Sequence, residues 1–326
     1  MVEVPQQPVD DTLSPKDGMH IAGQEAHYFA TGYSAIRNIQ AGLLAAGLKT
    51  PAKILDMACG YGRVLRMLKA YFPTAHLTAC DINTVAVDFC AETFGAHKAY
   101  ADENFEQMNL SETFDLIWCG SLLTHLDRSY WKSFMIFCAK HLADDGLLVF
   151  TTHGRYVATM ITDYDFWYGL EPSQAHQIVN DYRERGFGYC NYPTRSHYGL
   201  SLASPSWVVS FIEKYTDLQL CLVNEMGWDR HQDVYACCAT EALAIQAIEA
   251  YAEKVINYVM MEIGGTNIPM TLTSADASPS KQKIVEWVET KITRDNMPFG
   301  PRVRRIVATI TLDHLAQTFS PPPGSS

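Results

Sequence analysis

Between residues 53 and 152 short apolar strands alternate with amphipathic helices, and this alternation restricts the fold more than any other feature of the chain. Lys53–Asp56, His76–Asp81, Phe114–Trp118 and Gly146–Thr152 read as strands. Helical stretches at Arg63–Tyr71, Val85–Phe94 and Tyr130–Leu142 separate them. Strands joined by helices predict βαβ units, and hence a parallel sheet with right-handed crossovers. A further helix is expected over Gln24–Leu48, and another over Ser206–Tyr215. Two later strands, Leu218–Glu225 and Asp233–Ala239, meet around Gly227-Trp228-Asp229. A connection that short makes them antiparallel. The expected architecture is a doubly wound α/β sheet, mostly parallel, closed by an antiparallel terminal hairpin.

Flanking segments differ in character. Residues 1–23 are polar, punctuated by Pro5, Pro8, Pro15 and Gly18, and read as a loose arm. Residues 24–240 hold the α/β domain. Within it, 155–200 are rich in Tyr, Trp, Phe and Gly and read as an inserted lid over a site. Residues 241–326 read as a helical C-terminal extension suited to docking or homodimer formation.

Charge and cysteine usage exclude several classes. The 326 residues carry 25 Lys and Arg against 36 Asp and Glu, a net charge of −11. That balance argues against non-specific nucleic-acid binding, which depends on phosphate neutralisation. No apolar run reaches the roughly 18 residues of a spanning helix. Met1 to Asp11 has neither a basic nor an apolar region, so no signal peptide is expected. Nine cysteines form no C-x-x-C pair and predict free thiols in a reducing compartment, without a metal site. A soluble cytoplasmic protein is expected.

The chemistry concentrates at Ile54-Leu-Asp56-Met-Ala58-Cys59-Gly60-Tyr61-Gly62-Arg63, where the first strand turns into the first crossover helix. Paired glycines let the backbone bend sharply and approach a ligand. The helix start beyond them offers unpaired N–H groups to a polar or anionic group. The second strand ends at Asp81, placed as ribose-binding carboxylates are in nucleotide-binding βαβ units. A dinucleotide fingerprint needs a third glycine at position 65, which is Leu. NAD and FAD are therefore disfavoured, and no phosphate-binding Gly-Lys loop occurs either.

At these residues the sequence resembles the class I S-adenosylmethionine-dependent methyltransferases, which have a Rossmann-like fold. In that family an acid lies two positions before a Gly-x-Gly-x-Gly loop, matched here by Asp56 to Gly62 with Ala58 in place of the first glycine. The likeness continues through Asp81, Asp102 in Tyr100-Ala-Asp102-Glu103, the strand Phe114–Trp118 with Cys119, Gly120 and Ser121, and Asp145-Gly146-Leu-Leu-Val-Phe150. It implies S-adenosyl-L-methionine as cofactor. The implied binding set is Asp56, Ala58, Cys59, Gly60, Tyr61, Gly62, Asp81, Ile82, Asp102, Cys119 and Gly120. Asp81 would hold the ribose and Asp102 the adenine amine. Cys59 reads as a small filler; Arg63 either touches the cofactor or, as is commoner in a first helical turn, is a solvated side chain.

Two histidines follow strands at the carboxyl edge, where ligands of open α/β sheets bind: His125 and His153. Both are candidate catalytic bases for an acceptor hydroxyl. Asp229 and His231 reach such a site only if the terminal hairpin folds back. The implied activity is methyl transfer to O, N or C of a small molecule or glycan. A non-catalytic ligand- or partner-binding module stays open beside it, and a nicotinamide-dependent oxidoreductase is disfavoured by Leu65 and the terminal hairpin.

Overall fold

The computed structural model describes residues 4–239. The expected C-terminal extension, 241–326, lies outside these residues. The described region has the element order α1 (Glu25–Ala46), β1 (Lys53–Met57), α2 (Leu65–Tyr71), β2 (His76–Asp81), α3 (Thr84–Phe94), β3 (His97–Tyr100), β4 (Phe114–Cys119), α4 (Arg128–His141) and β5 (Leu142–Thr152). There follow α5 (Arg155–Tyr164), α6 (Pro172–Arg185), β6 (Phe187–Asn191), β7 (Gly199–Ala203), α7 (Pro205–Tyr215), β8 (Leu218–Trp228) and β9 (Gln232–Ala239).

Seven strands form one sheet in the order β3-β2-β1-β4-β5-β9-β8. β1 pairs in parallel with both β2 and β4, and β4 in parallel with β5. β9 runs antiparallel to both β5 and β8. The expected Rossmann-like sheet with an antiparallel terminal hairpin is thus present. The chain winds outward from β1 to β3, then returns to the other side of β1 as β4. That reversal opens a crevice beyond the carboxyl ends of β1 and β4.

Strand alternation builds the two faces. Leu55, Met57, Ile117, Cys119, Leu148 and Phe150 bury against Trp131, Phe134 and Cys138 of α4 and Val208 and Ile212 of α7. Asp56 and Trp118 fall on the opposite face with α1. Local chemistry sets the helix ends: Asn83 accepts from Ala86 N–H and Asp127 from Ser129 N–H, and Gly47 and Gly95 close α1 and α3 in the left-handed conformation.

Residues 155–204 are more ordered than the sequence indicates. α5, α6 and β7 enclose their own apolar cluster, including Val157, Ile161, Ile178, Val179, Leu200 and Leu202. β7 is then stitched to the sheet's carboxyl edge. Its Gly199, Ser201 and Ala203 N–H groups donate to the carbonyls of His125, Thr124 and His153 at 3.0, 2.9 and 2.9 Å.

The arm before α1 is not loose. Arg66 of α2 is 1% exposed and donates through Nη1 to the carbonyls of Asp10 and Thr12, both at 2.9 Å. Its Nε donates to Gly62 O at 3.1 Å. One buried guanidinium therefore ties the arm to the glycine loop. Arg66→Met is expected to cost about 2–4 kcal/mol, because the carbonyls of Asp10, Thr12 and Gly62 lose a buried charged donor. Urea denaturation measures it; an unchanged midpoint would mean the arm is held by other contacts. Among the described residues no helix is long and apolar enough to cross a membrane.

Candidate active site

The crevice at the strand-order reversal holds a cavity of about 690 Å³, within the usual range for small-ligand sites. Its floor is the β1–α2 loop. Ala58, Gly60 and Gly62 all have positive φ, at 61°, 51° and 79°. Cys59 N–H donates to Cys80 O at 3.1 Å, and Gly60 N–H to Asp81 Oδ2 at 2.8 Å. The loop is thereby fixed to the end of β2. Ala58 pays a conformational cost that glycine would avoid, about 1–2 kcal/mol.

The two glycines do different things. A Cβ built on Gly60 meets no atom within 4 Å, and Gly60 lines the cavity. A Cβ on Gly62 would lie 2.5 Å from the Phe94 ring. Gly62 therefore serves packing against α3 and, contrary to the sequence reading, does not line the cavity. Cys119 also departs from that reading. It is 0% exposed and points into the α4 face of the sheet, because alternation turns it away when Trp118 faces the crevice.

Of the other expected residues, Asp56, Ala58, Cys59, Tyr61, Asp81, Ile82, Asp102 and Gly120 all line the cavity. Asp56 is 1% exposed, and its Oδ2 has no hydrogen-bond partner among the described residues. Burial, with the Asp81 charge added, pushes its carboxyl well above the usual range. A cationic donor placed there would both satisfy Oδ2 and restore the charge. Asp81 accepts from Asn83 N–H through Oδ1 at 2.8 Å, and its remaining lone pairs can take hydroxyl donors. Ile82, 58% exposed, offers an apolar surface beside it. Asp102 accepts from Asn104 N–H at 2.8 Å, so it caps a turn while lining the cavity. Cys59 is a buried filler whose thiol is held neutral by its contact with Cys90 and by burial.

His125 and His153 part company. His125 lines the cavity, half-buried, with Nδ1 2.8 Å from Gly199 O. A carbonyl only accepts, so Nδ1 carries the proton and Nε2 keeps its lone pair. Tyr198 stacks on the ring at 4.6 Å. Burial lowers the His125 pKa, the Gly199 bond pulls it back, and the Arg195 charge lowers it further. His153 does not reach the cavity wall. It is 4% exposed, edge-on to His125 at 6.2 Å and to His231 at 5.4 Å, and burial keeps it neutral. The β7 stitching covers the edge that its sequence position implied was open.

Several cavity residues escaped the sequence reading. The β6–β7 loop contributes Thr194 to Tyr198, with the Arg195 guanidinium 5.3 Å over the Tyr198 ring. Of the segment 155–200 expected as a lid, Thr194 to Tyr198 line the cavity, whereas the aromatic stretch Tyr164–Gly169 does not. Asp17 and Met19 enter from the arm and Tyr130 from α4. The hairpin does fold back: Ser34 and Asn38 of α1 donate to Gly227 O, and Trp228 Nε1 donates to Thr31 O at 2.9 Å. This sets Trp228 in the wall, while Asp229 and His231 stay outside it. Arg63, for which solvent was the commoner expectation, is half-buried between the Tyr28 and Trp228 rings. Among the described residues no His, Cys, Asp or Glu cluster is arranged to hold a metal ion.

A seven-stranded sheet of this order, with a glycine loop and acids at the ends of β1 and β2, defines a Rossmann-like nucleotide-site protein. Residues 55–148 match the family model described as a methyltransferase domain. Curated relatives include a malonyl-[acyl-carrier protein] O-methyltransferase of Bacillus anthracis, 32% identical over 105 residues. That match covers 32% of this chain and 38% of the relative. The protein of the same name from Acetivibrio thermocellus is 22% identical over 183 residues, covering 53% and 60%. The chain thus spans less than two thirds of these relatives' lengths. A solved S-adenosylmethionine-dependent methyltransferase from Clostridium acetobutylicum is 14% identical, covering 65% of this chain and 91% of its own, with a TM-score of 0.44.

Proposed function

We propose that this chain transfers a methyl group from S-adenosylmethionine to an acceptor oxygen. The observation that carries the reading is the convergence of Asp56, Gly60, Asp81 and Asp102 on one cavity that also holds His125. The fit to the donor rests on the unpartnered, buried Asp56 Oδ2, which suits an ammonium, and on the open space over Gly60. Asp81 would take the ribose hydroxyls, and Ile82 with Asp102 the adenine. Bound S-adenosylmethionine would supply an electrophilic methyl on a positively charged sulfur.

The rest of the work falls to the protein. The rigid loop fixes the donor's position, and the β6–β7 loop, with Arg195 and Tyr198, would orient the acceptor. Transfer of a methyl group gains much from such alignment. His125, with Nδ1 committed to Gly199 and Nε2 free, is suited to accept a proton from a hydroxyl. That supports oxygen over carbon or nitrogen, and agrees with the relatives' names as O-methyltransferases. The pH dependence separates a hydroxyl acceptor, of a small molecule or a glycan, from a carboxylate acceptor such as a carrier-bound acid, because a carboxylate needs no base.

Calorimetry tests the reading. S-adenosylmethionine is expected to bind at micromolar affinity, about 7–8 kcal/mol. Asp81→Ala is expected to weaken it by about 1–3 kcal/mol through lost charged hydrogen bonds. NADH binding in place of S-adenosylmethionine would overturn the assignment, and cofactor binding without turnover of any acceptor would mark a non-catalytic module.

A further inference from the structure

The carboxylates that line the cavity all come from one set of elements. Asp17 enters from the arm, Asp56 and Asp81 from the ends of β1 and β2, and Asp102 and Glu103 from the segment after β3. A second set, the β4–α4 segment, α4 and the β6–β7 loop, supplies His125, Tyr130 and Thr194 to Tyr198 without a single acid. Arg195 is the fixed cation of that second set. Among the lining residues the other arginine is Arg63, in the glycine loop.

Local structure holds Arg195 in place. Tyr192 N–H donates to Tyr198 O and Arg195 N–H to Tyr192 O, both at 3.1 Å, so the loop closes on itself as a turn. Just beyond it, Gly199 N–H donates to His125 O and ties the turn to the candidate base. The Tyr198 ring touches both groups: it stacks on His125 at 4.6 Å and lies 5.3 Å from the Arg195 guanidinium. An aromatic face attracts a cation without neutralising it. No carboxylate among the described residues pairs with Arg195 within 4 Å. Its charge is felt at both His125 and Tyr198. An exposed guanidinium settled on a ring is ready to take a carboxylate through two parallel hydrogen bonds. Because turn and ring fix it beforehand, less freedom is lost when the contact forms.

We propose that Arg195 selects an anionic acceptor: it binds a carboxylate of the acceptor while the hydroxyl to be methylated lies at His125, so the substrate is a hydroxy acid. The inference rests on the reading of this cavity as a methyl-transfer site, and it adds the chemical class of the acceptor. The carboxylate takes no part in the transfer. A neutral analogue leaves Arg195 to solvent and gains nothing from it. Two sources supply this chemistry, an aromatic hydroxy acid and an acidic sugar.

Two pairs of probes, each an acid with its neutral twin, read the selection: 4-hydroxybenzoate with 4-hydroxybenzyl alcohol, and methyl glucuronide with methyl glucoside. Calorimetry on the full chain saturated with S-adenosylhomocysteine should find the acid of one pair bound at least about tenfold more tightly than its twin. The pair that shows the preference identifies the source, ring or sugar. Arg195→Met should cut that preference to less than about twofold and keep S-adenosylhomocysteine within about threefold of wild type. Arg195→Lys keeps the charge but not the fork, and should retain a preference of about threefold. Acids bound no better than their twins in both pairs, or a preference that survives Arg195→Met, would overturn the proposal. So would loss of S-adenosylhomocysteine binding in Arg195→Met, which would place the arginine on the donor. A wild-type protein that does not bind S-adenosylhomocysteine would instead remove the parent reading of the cavity.

Discussion

Gly60→Val abolishes donor binding, weakening S-adenosylhomocysteine by more than about 100-fold, while the protein stays folded. Both halves follow from where the missing side chain would go. Gly60 has a φ of 51°, which costs a β-branched L-residue about 1–2 kcal/mol or somewhat more. That is a tolerable loss for a domain of this size. Its Cβ meets no protein atom within 4 Å, so the valine branches stand in the cavity, where a ligand would lie against the backbone. Gly62→Ala gives the opposite pattern. Its Cβ strikes Phe94 at 2.5 Å, so stability falls and the cavity wall is untouched. Calorimetry and thermal melts on both variants separate the cases. Undiminished S-adenosylhomocysteine affinity in Gly60→Val would show that no ligand approaches this loop. Global unfolding of that variant would make Gly60 a packing residue, and Gly60→Ala, with a smaller side chain, would then carry the binding measurement.

Features carried by local patterns were legible in the sequence. The alternation of apolar strands and helices is local, so β1, β2, β4 and β5 and the helices between them were readable, and the short link at Gly227 to Asp229 fixed the antiparallel hairpin. The acid at the end of β2 was readable for the same reason, since its place follows from the strand's length. β3 was not, because four residues with three exposed side chains carry no apolar signal. The expected lid insertion, 155–200, was read from its aromatic residues, without its helices and strands. Its aromatic residues drew the eye, whereas the wall comes from the polar turn Thr194 to His197 between β6 and β7.

What failed to show in the sequence depends on contacts between distant segments. Nothing around Arg66 indicates that residues 10 and 12 will reach its guanidinium. Nothing around Arg63 indicates that rings from positions 28 and 228 will enclose it. An arginine at a helix start is usually solvated, and here both arginines, Arg63 just before α2 and Arg66 in its first turn, are drawn inward by partners the local pattern does not contain. The same holds for Cys119 and His153. Position at the carboxyl edge made them candidates, but strand alternation for one and the cross-bonds from β7 for the other decided which side they face.

His125→Ala lowers kcat by about 10²–10⁴-fold, the usual contribution of a positioned base. The expectation now falls on one histidine, because only His125 lines the cavity. Its Nδ1 proton is held by Gly199 O at 2.8 Å, which fixes the tautomer and leaves Nε2 as the basic atom. The sign of the pH dependence follows from its pKa. The working form is neutral, and it is lost as pH falls through the pKa. Burial sets that pKa below the ordinary 6.5, so the acid limb of the kcat profile should have its midpoint below 6.5. In His125→Ala that limb should vanish along with most of the rate. His153→Ala should behave differently, because His153 touches the site only through its ring contact with His125. It should lower the melting temperature and change kcat by less than about tenfold, the effect of slight displacement of its neighbour. Steady-state kinetics across pH on both variants, with S-adenosylmethionine saturating, decides the matter. A His125→Ala enzyme with near wild-type kcat and an intact acid limb would exclude general-base catalysis by this residue. Alignment alone would then supply the rate, as suffices for an acceptor that arrives already ionised.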